Sequence, residues 1–219
     1  MTTKSDKSFA VIFDMDGVII NNNDWHLKSW IIFAERLGMP LMPEEFHERV
    51  FGKTNEQILA LAFPDASDAQ LLAWALEKEA LYRELYAPDF ALADGLYSFL
   101  ETLKSNNIPV AVASNAPLIN VDFALDMGKI RHFFDVIMYA GLVPNPKPAP
   151  DIYLKSAELL GFRPEDCFVV EDSPTGLQAA VAAGCNPIAI TSTFKTGNLL
   201  PYTSFIVDHF DELQQRLFA

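Results

Sequence analysis

Apolar residues fall in two kinds of run along this chain, and the kind changes twice. Phe9-Ala10-Val11-Ile12-Phe13 is unbroken, with no polar position to face water. Such a run reads as a strand buried on both faces, as in a parallel sheet. Alternation of strand and helix should follow, but from about Asn22 to Ala87 the spacing is helical instead. Leu27, Trp30, Ile31, Ala34 and Leu37 recur at helical intervals, and Gly38 stops the run. Glu56 to Phe63 predicts a second, short helix. Ser67 with Gln70 is a capping-box start for a longer one, which carries Leu71, Trp74, Leu81, Tyr82 and Leu85 on or near one face and ends at Pro88. Residues 21 to 90 therefore read as a helical domain inserted into another.

Strand and helix alternate from there on. Gly95 to Ser105 predicts a helix, Val110 to Ala113 a buried strand, and Pro117 to Met127 a helix with Pro in its first turn. Val136 to Met138 is a third strand, and the loop GLVPNPKPAP leads into a helix over Asp151 to Leu160. Cys167 to Val170 is a fourth strand, followed by a helix that Ser173 caps and Gly184 ends. Pro187 to Ile190 and Ser204 to Val207 read as further strands. The expected class is α/β: a parallel sheet with helices on both faces, built from residues 1–20 and 91–219, with residues 1 to 8 frayed.

Charge narrows the partners. The chain has 219 residues and a formal net charge of −13. That argues against nonspecific nucleic-acid binding and against attraction to anionic membranes. An anionic substrate then needs a metal or fixed lysines to reverse the field locally. Cys167 and Cys185 lack metal-ligand spacing and read as reduced packing residues of a cytoplasmic protein. MTTKSDKS has no apolar signal core, and no stretch reaches membrane-spanning length. A monomer is the expected state.

The polar residues that end the strands carry the chemistry. They are Asp14 and Asp16, Ser114 and Asn115, and Glu171 and Asp172, with Lys147 in the loop after the third strand. A parallel sheet brings all of them to one edge, where open α/β sheets bind their ligands. Clustered carboxylates without His or Cys suit a hard cation, Mg²⁺ above others. A carboxylate can attack phosphorus to form an aspartyl-phosphate. The metal and Lys147 would offset repulsion from the anionic substrate. Ser114, Asn115 and nearby backbone N–H groups would meet phosphate oxygens, helped by a helix N-terminus. Asp16 could protonate the leaving oxygen and later take a proton from water. Each residue alone has an ordinary explanation as a turn, a helix cap or a solvated lysine; their order at successive strand ends does not.

FDMDG at Phe13 to Gly17, ASN at Ala113 to Asn115, KPAPDIY at Lys147 to Tyr153 and EDSPTG at Glu171 to Gly176 resemble, in order, the four motifs of the haloacid dehalogenase-like hydrolase superfamily. The resemblance implies a Rossmann-like core with an inserted helical cap. It implies Asp14 as nucleophile, Asp16 as acid and base, and Ser114 and Lys147 on phosphate. Mg²⁺ would be held by Asp14, the Asp16 carbonyl and Asp172, with Glu171 a ligand or one shell out. The sequence is similar above all to the β-phosphoglucomutase and sugar-phosphatase branch. HLKSW at His26 to Trp30 resembles the mutase's first cap helix, where a His assists the acid/base, and Lys78 falls near a cap lysine that reaches the substrate. Dehalogenases and phosphonate hydrolases of the superfamily lack the second Asp, so Asp16 argues against both, and with the latter against a Schiff-base role for Lys53. The expectation is a phosphatase acting on a small phosphorylated metabolite, with a hexose-phosphate mutase as the alternative and a non-catalytic phosphate-binding protein as a third reading. Against the mutase, Gly52-Lys53-Thr54-Asn55 puts Asn55 where the mutase pattern has a phosphate-gripping arginine.

Overall fold

In the computed structural model, which describes residues 9–39 and 54–218, every strand of one six-stranded sheet is parallel to its neighbours. The strands are β1 (Ala10–Phe13), β2 (Val110–Ala113), β3 (Val136–Met138), β4 (Cys167–Glu171), β5 (Asn186–Ile190) and β6 (Ile206–Val207), in the spatial order β3-β2-β1-β4-β5-β6. β1 is fully buried, as its apolar run requires. It lies between β2 and β4, with Phe13 opposite both Val112 and Val170. The strand order reverses at this position, so the crevice of an open α/β sheet opens at the end of β1.

The chain divides into two compact units, residues 1–21 with 91–219 and residues 22–90. In the first, an isolated bridge pairs Ile20 with Leu92, and Ala93 N–H donates to the Ile19 carbonyl at 2.9 Å. The chain thus leaves and re-enters this unit at one place. Its helices are α4 (Leu96–Ser105), α5 (Leu118–Met127), α6 (Asp151–Leu160), α7 (Pro174–Ala183), α8 (Thr196–Leu199) and α9 (Phe210–Leu217). The second unit holds α1 (Asn23–Arg36), α2 (Asn55–Ala62) and α3 (Asp68–Tyr86) around a core of Trp30, Phe33, Leu59 and Leu81.

Several expectations shift by a residue or two. β4 runs one residue further than its apolar pattern and includes Glu171, which is as buried as its neighbours. Pro117 caps α5 rather than entering it. The reciprocal capping box forms at Thr54 and Gln57, while at Ser67 only the side-chain-to-Gln70 half is present. α8 and α9 are additions to the sequence reading. α9 matters to the core, because Phe210 packs on Phe13 and Phe99 at ring separations of 6.1 and 5.6 Å. The expected frayed residues 1 to 8, and Gly52 and Lys53, lie outside the described residues. Among the described residues no helix is long and apolar enough to cross a membrane.

Candidate active site

Asp14 follows the last residue of β1, and its backbone N–H is held by the Val170 carbonyl at 3.0 Å. Its side chain meets Lys147, whose Nζ lies 2.5 Å from Asp14 Oδ1, 2.8 Å from Glu171 Oε1 and 2.9 Å from the carbonyl of Ala113. An ammonium has three protons to donate, and these three acceptors use them all. Lys147 is thus a fixed, buried charge between the ends of β1, β2 and β4.

Glu171 is bound on both oxygens. Oε1 accepts from Lys147 and from the Tyr153 hydroxyl at 2.7 Å. Oε2 accepts from the backbone N–H groups of Asp172 and Ser173 and from Ser173 Oγ. The side chain folds back over the start of α7, and Gly176 makes room for it: a Cβ there would lie 1.7 Å from Glu171 Oε1. Gly17 does the same for Asp172, with φ +79° and a Cβ position 1.9 Å from Asp172 Oδ2.

Asp14, Glu171 and Asp172 each offer an oxygen within 4.8 Å of the others. Three buried carboxylates face one lysine, and the acidity of Asp14 and Asp172 records the excess. Burial pushes Asp14 up most; Lys147 pulls it back in part, Glu171 and Asp16 push further, and it sits at about 7. Burial also holds Asp172 well above the carboxylate range, with Glu171 and Asp14 adding to it. Lys147 goes the other way, since Asp14 and Glu171 outweigh its desolvation and keep it firmly protonated. An all-oxygen donor set with surplus negative charge is what a hard divalent cation fits. Asp14 and Asp172 are the ligands best placed to hold it, since Glu171 is already engaged on both oxygens.

The remaining expected residues are placed as follows. Asp16 is half-buried in the turn after β1, bridged to Ile20, and its carboxylate lies outside the three-residue acidic group. Ser114 is buried at the end of β2, where its Oγ accepts from Ala116 N–H at 3.0 Å. The Asn115 amide braces the Lys147 backbone, accepting from its N–H at 3.1 Å and donating to its carbonyl at 3.4 Å. That brace holds the loop that carries the lysine. His26 and Lys78 belong to the 22–90 unit and meet there. Lys78 Nζ donates to His26 Nδ1 at 3.0 Å and to Glu79 Oε1 at 2.9 Å, and the His26 ring stacks on Tyr82 at 3.9 Å.

Four participants escaped the sequence reading: Tyr153, Glu79, and Ser192 with Thr193 after β5. Thr193 Oγ1 donates to Asp172 Oδ2, and Ser192 Oγ donates to the Gly17 carbonyl at 2.5 Å. The only signal for this pair is position, since β5 ends on the same edge as β1, β2 and β4.

Comparison with known proteins agrees with this geometry. Residues 11–190 match the model of the haloacid dehalogenase-like hydrolase family. The chloroplastic 5-amino-6-(5-phospho-D-ribitylamino)uracil phosphatase of Arabidopsis thaliana is 31% identical over 93% of this chain, which spans 55% of that protein's length. The phosphorylated carbohydrates phosphatase of Thermotoga maritima is 33% identical over 82% of this chain and 83% of its own. A crystal structure of β-phosphoglucomutase from Clostridium difficile superposes with a TM-score of 0.81 at 29% identity, covering 94% of this chain and 95% of that one. The acidic edge of the sheet, its fixed lysine and these likenesses lead to one assignment: the chain belongs to the haloacid dehalogenase-like hydrolases, in their β-phosphoglucomutase-like branch.

Proposed function

We propose that this chain is a Mg²⁺-dependent phosphatase that hydrolyses a small phosphorylated metabolite, a sugar phosphate in the first instance, through an aspartyl-phosphate on Asp14. One observation carries the reading: Lys147 Nζ at 2.5 Å from Asp14 Oδ1, inside a buried group of three carboxylates. The names of the Arabidopsis and Thermotoga relatives, both phosphatases of phosphorylated small molecules, support the substrate class. The two free, buried cysteines are consistent with a cytoplasmic enzyme.

An Asp14 oxygen attacks phosphorus, and the bond from phosphorus to the ester oxygen breaks. Asp16 gives its proton to the departing alcohol. It then takes a proton from water as the water oxygen attacks the same phosphorus, and the Asp14–phosphorus bond breaks to release inorganic phosphate. Lys147 neutralises charge on the transferring group, and Ser114 with the N–H groups at the start of α5 meets its oxygens. Bound Mg²⁺, held by Asp14, the Asp16 carbonyl and Asp172, supplies positive charge that lowers the repulsion between nucleophile and phosphate. In this reading residues 22–90, which carry His26 and Lys78, are the helical cap that the family resemblance implies.

The mutase remains the second reading because of the likeness to β-phosphoglucomutase. Asn55 weighs against it. The Asn55 Nδ2 donates to Glu79 Oε1 at 2.5 Å, so the position that should grip a second phosphate is turned to a buried carboxylate. A phosphate-release screen over sugar phosphates, nucleotides and pyrophosphate tests the first reading. Incubation with β-glucose 1-phosphate, Mg²⁺ and a trace of the bisphosphate separates the two. Glucose 6-phosphate accumulating much faster than inorganic phosphate would replace the phosphatase with the mutase.

A further inference from the structure

Thr191, Ser192 and Thr193 follow β5 and place three hydroxyls in a row. Each has its own partner. Thr191 Oγ1 donates to Asp208 Oδ1 at 2.5 Å, and its N–H donates to the Val207 carbonyl at 3.0 Å, which anchors the segment to the end of β6. Ser192 reaches the Gly17 carbonyl, and Thr193 reaches Asp172 Oδ2. The meeting point is tight, because a Cβ on Gly17 would lie 1.9 Å from Asp172 Oδ2 and 2.7 Å from Thr193 Oγ1. Ser192 therefore ties the end of β5 to the turn after β1, and Thr193 ties it to the end of β4.

Lys147 cannot orient that carboxylate. Its three protons go to Asp14, Glu171 and the Ala113 carbonyl. Asp172 is the member of the acidic group whose direction must come from another donor. We propose that Thr193 is a positioning residue for Asp172: its hydroxyl holds Oδ2, and so turns Oδ1 toward the cation. The proposal rests on the reading of Asp14 and Asp172 as Mg²⁺ ligands. A hydroxyl has one proton, and giving it to a carboxylate makes a charge-assisted bond, stronger than a neutral one. Partners that orient a ligating side chain in this way typically contribute about 10- to 100-fold to metal affinity. Packing alone does not explain Thr193, which is only half-buried and donates to a charged oxygen.

The test is calorimetric titration of Mg²⁺ into metal-free protein without substrate, for wild type, Thr193→Val and Thr193→Ser. Valine keeps the shape and loses the proton; serine keeps the proton. Thr193→Val should bind Mg²⁺ about 10- to 100-fold more weakly, with Thr193→Ser close to wild type. In turnover, Thr193→Val should raise the Mg²⁺ concentration for half-maximal rate while kcat at saturating Mg²⁺ is largely kept. Melting in EDTA checks that each variant is folded, and should Thr193→Val fail, Thr193→Ala against Thr193→Ser carries the same comparison. Wild-type affinity in the valine variant overturns the proposal, as does equal weakening by valine and serine. A wild-type protein that binds no Mg²⁺ would instead sink the metal reading of the site on which the proposal stands.

Discussion

Replacing Gly176 by Ala should destabilise this protein, although Ala is the better helix former. Gly176 lies in the first turn of α7 and gives its N–H to Ser173 Oγ at 3.1 Å. On propensity alone, glycine to alanine in a helix gains up to about 1 kcal/mol. The added Cβ, however, would lie 1.7, 1.9 and 2.3 Å from Glu171 Oε1, Cδ and Oε2. No flexible tail can give way there, since that carboxylate is buried and bound by Lys147, Tyr153, Ser173 and two backbone N–H groups. Moving it breaks at least two hydrogen bonds to a charged group, each worth about 1.5–3 kcal/mol. After the propensity gain, a net loss of roughly 2–5 kcal/mol remains, about 5–15 °C in Tm for a chain of this length. Gly197 in α8 is the control, because a Cβ there meets nothing within 4 Å. Gly197→Ala should be neutral or stabilise by about 0.4–1 kcal/mol. Thermal melts by circular dichroism in EDTA read both. If Gly176→Ala melts at or above the wild-type temperature, the placement of the Glu171 carboxylate is wrong.

Asp14→Asn should abolish phosphate release while the fold survives, with a melting temperature in EDTA no lower than wild type, because one of three crowded carboxylates loses its charge; retention of more than roughly a tenth of kcat would count against the covalent route. Mg²⁺ at about 100 times its Kd should stabilise the wild type by about 2.7 kcal/mol, and chelation should stop turnover until Mg²⁺ is restored; full activity in metal-free buffer would contradict the role given to Asp172. For Glu79, burial pushes the carboxyl up, but Lys78, His26 and Asn55 outweigh it and bring the folded value from 4.5 to about 2. A folded value below the unfolded one means stability that is complete above pH 4.5 and is lost as the pH falls through 2, on the order of 3 kcal/mol. The stability gap between wild type and Glu79→Gln should therefore shrink from pH 6 to pH 2, and a gap independent of pH would refute the ionised pair.

How much of this was legible in the sequence depended on where each residue's partners lie. Asp14, Ser114 and Asp172 could be placed at one sheet edge because each lies at or just past the end of an apolar run, and a parallel sheet delivers the ends of such runs to one edge. Lys147 could be placed in the right loop, but its three acceptors, one of them a backbone carbonyl, come from three strand ends distant in sequence. Asn115 could be placed beside Ser114, but its bonds to the Lys147 backbone could not be read, because what an amide faces is set by packing. Thr193 gave no sign at all. TST after an apolar run is an ordinary turn, and it becomes informative only once β5 is known to lie beside β4 with Ala189 opposite Glu171.

Charge balance shows the same limit from the energetic side. The sequence has acids and a lysine at the strand ends, and on an exposed surface such groups would be solvated and nearly indifferent to one another. Burial changes this, because a carboxylate out of water must be paired, protonated or bound to a cation. Lys147 pairs with Asp14 and Glu171 together, leaving about two negative charges uncompensated among three buried acids. The backbone N–H groups of Asp172 and Ser173, with Tyr153 and Ser173 Oγ, stabilise Glu171 without adding charge. The residual excess falls on Asp14 and Asp172, the two groups whose acidity burial weakens. A divalent cation would supply the missing two charges at those two residues. The fit of the site to such a cation therefore follows from the count of buried donors and acceptors, which the list of motif residues alone does not contain.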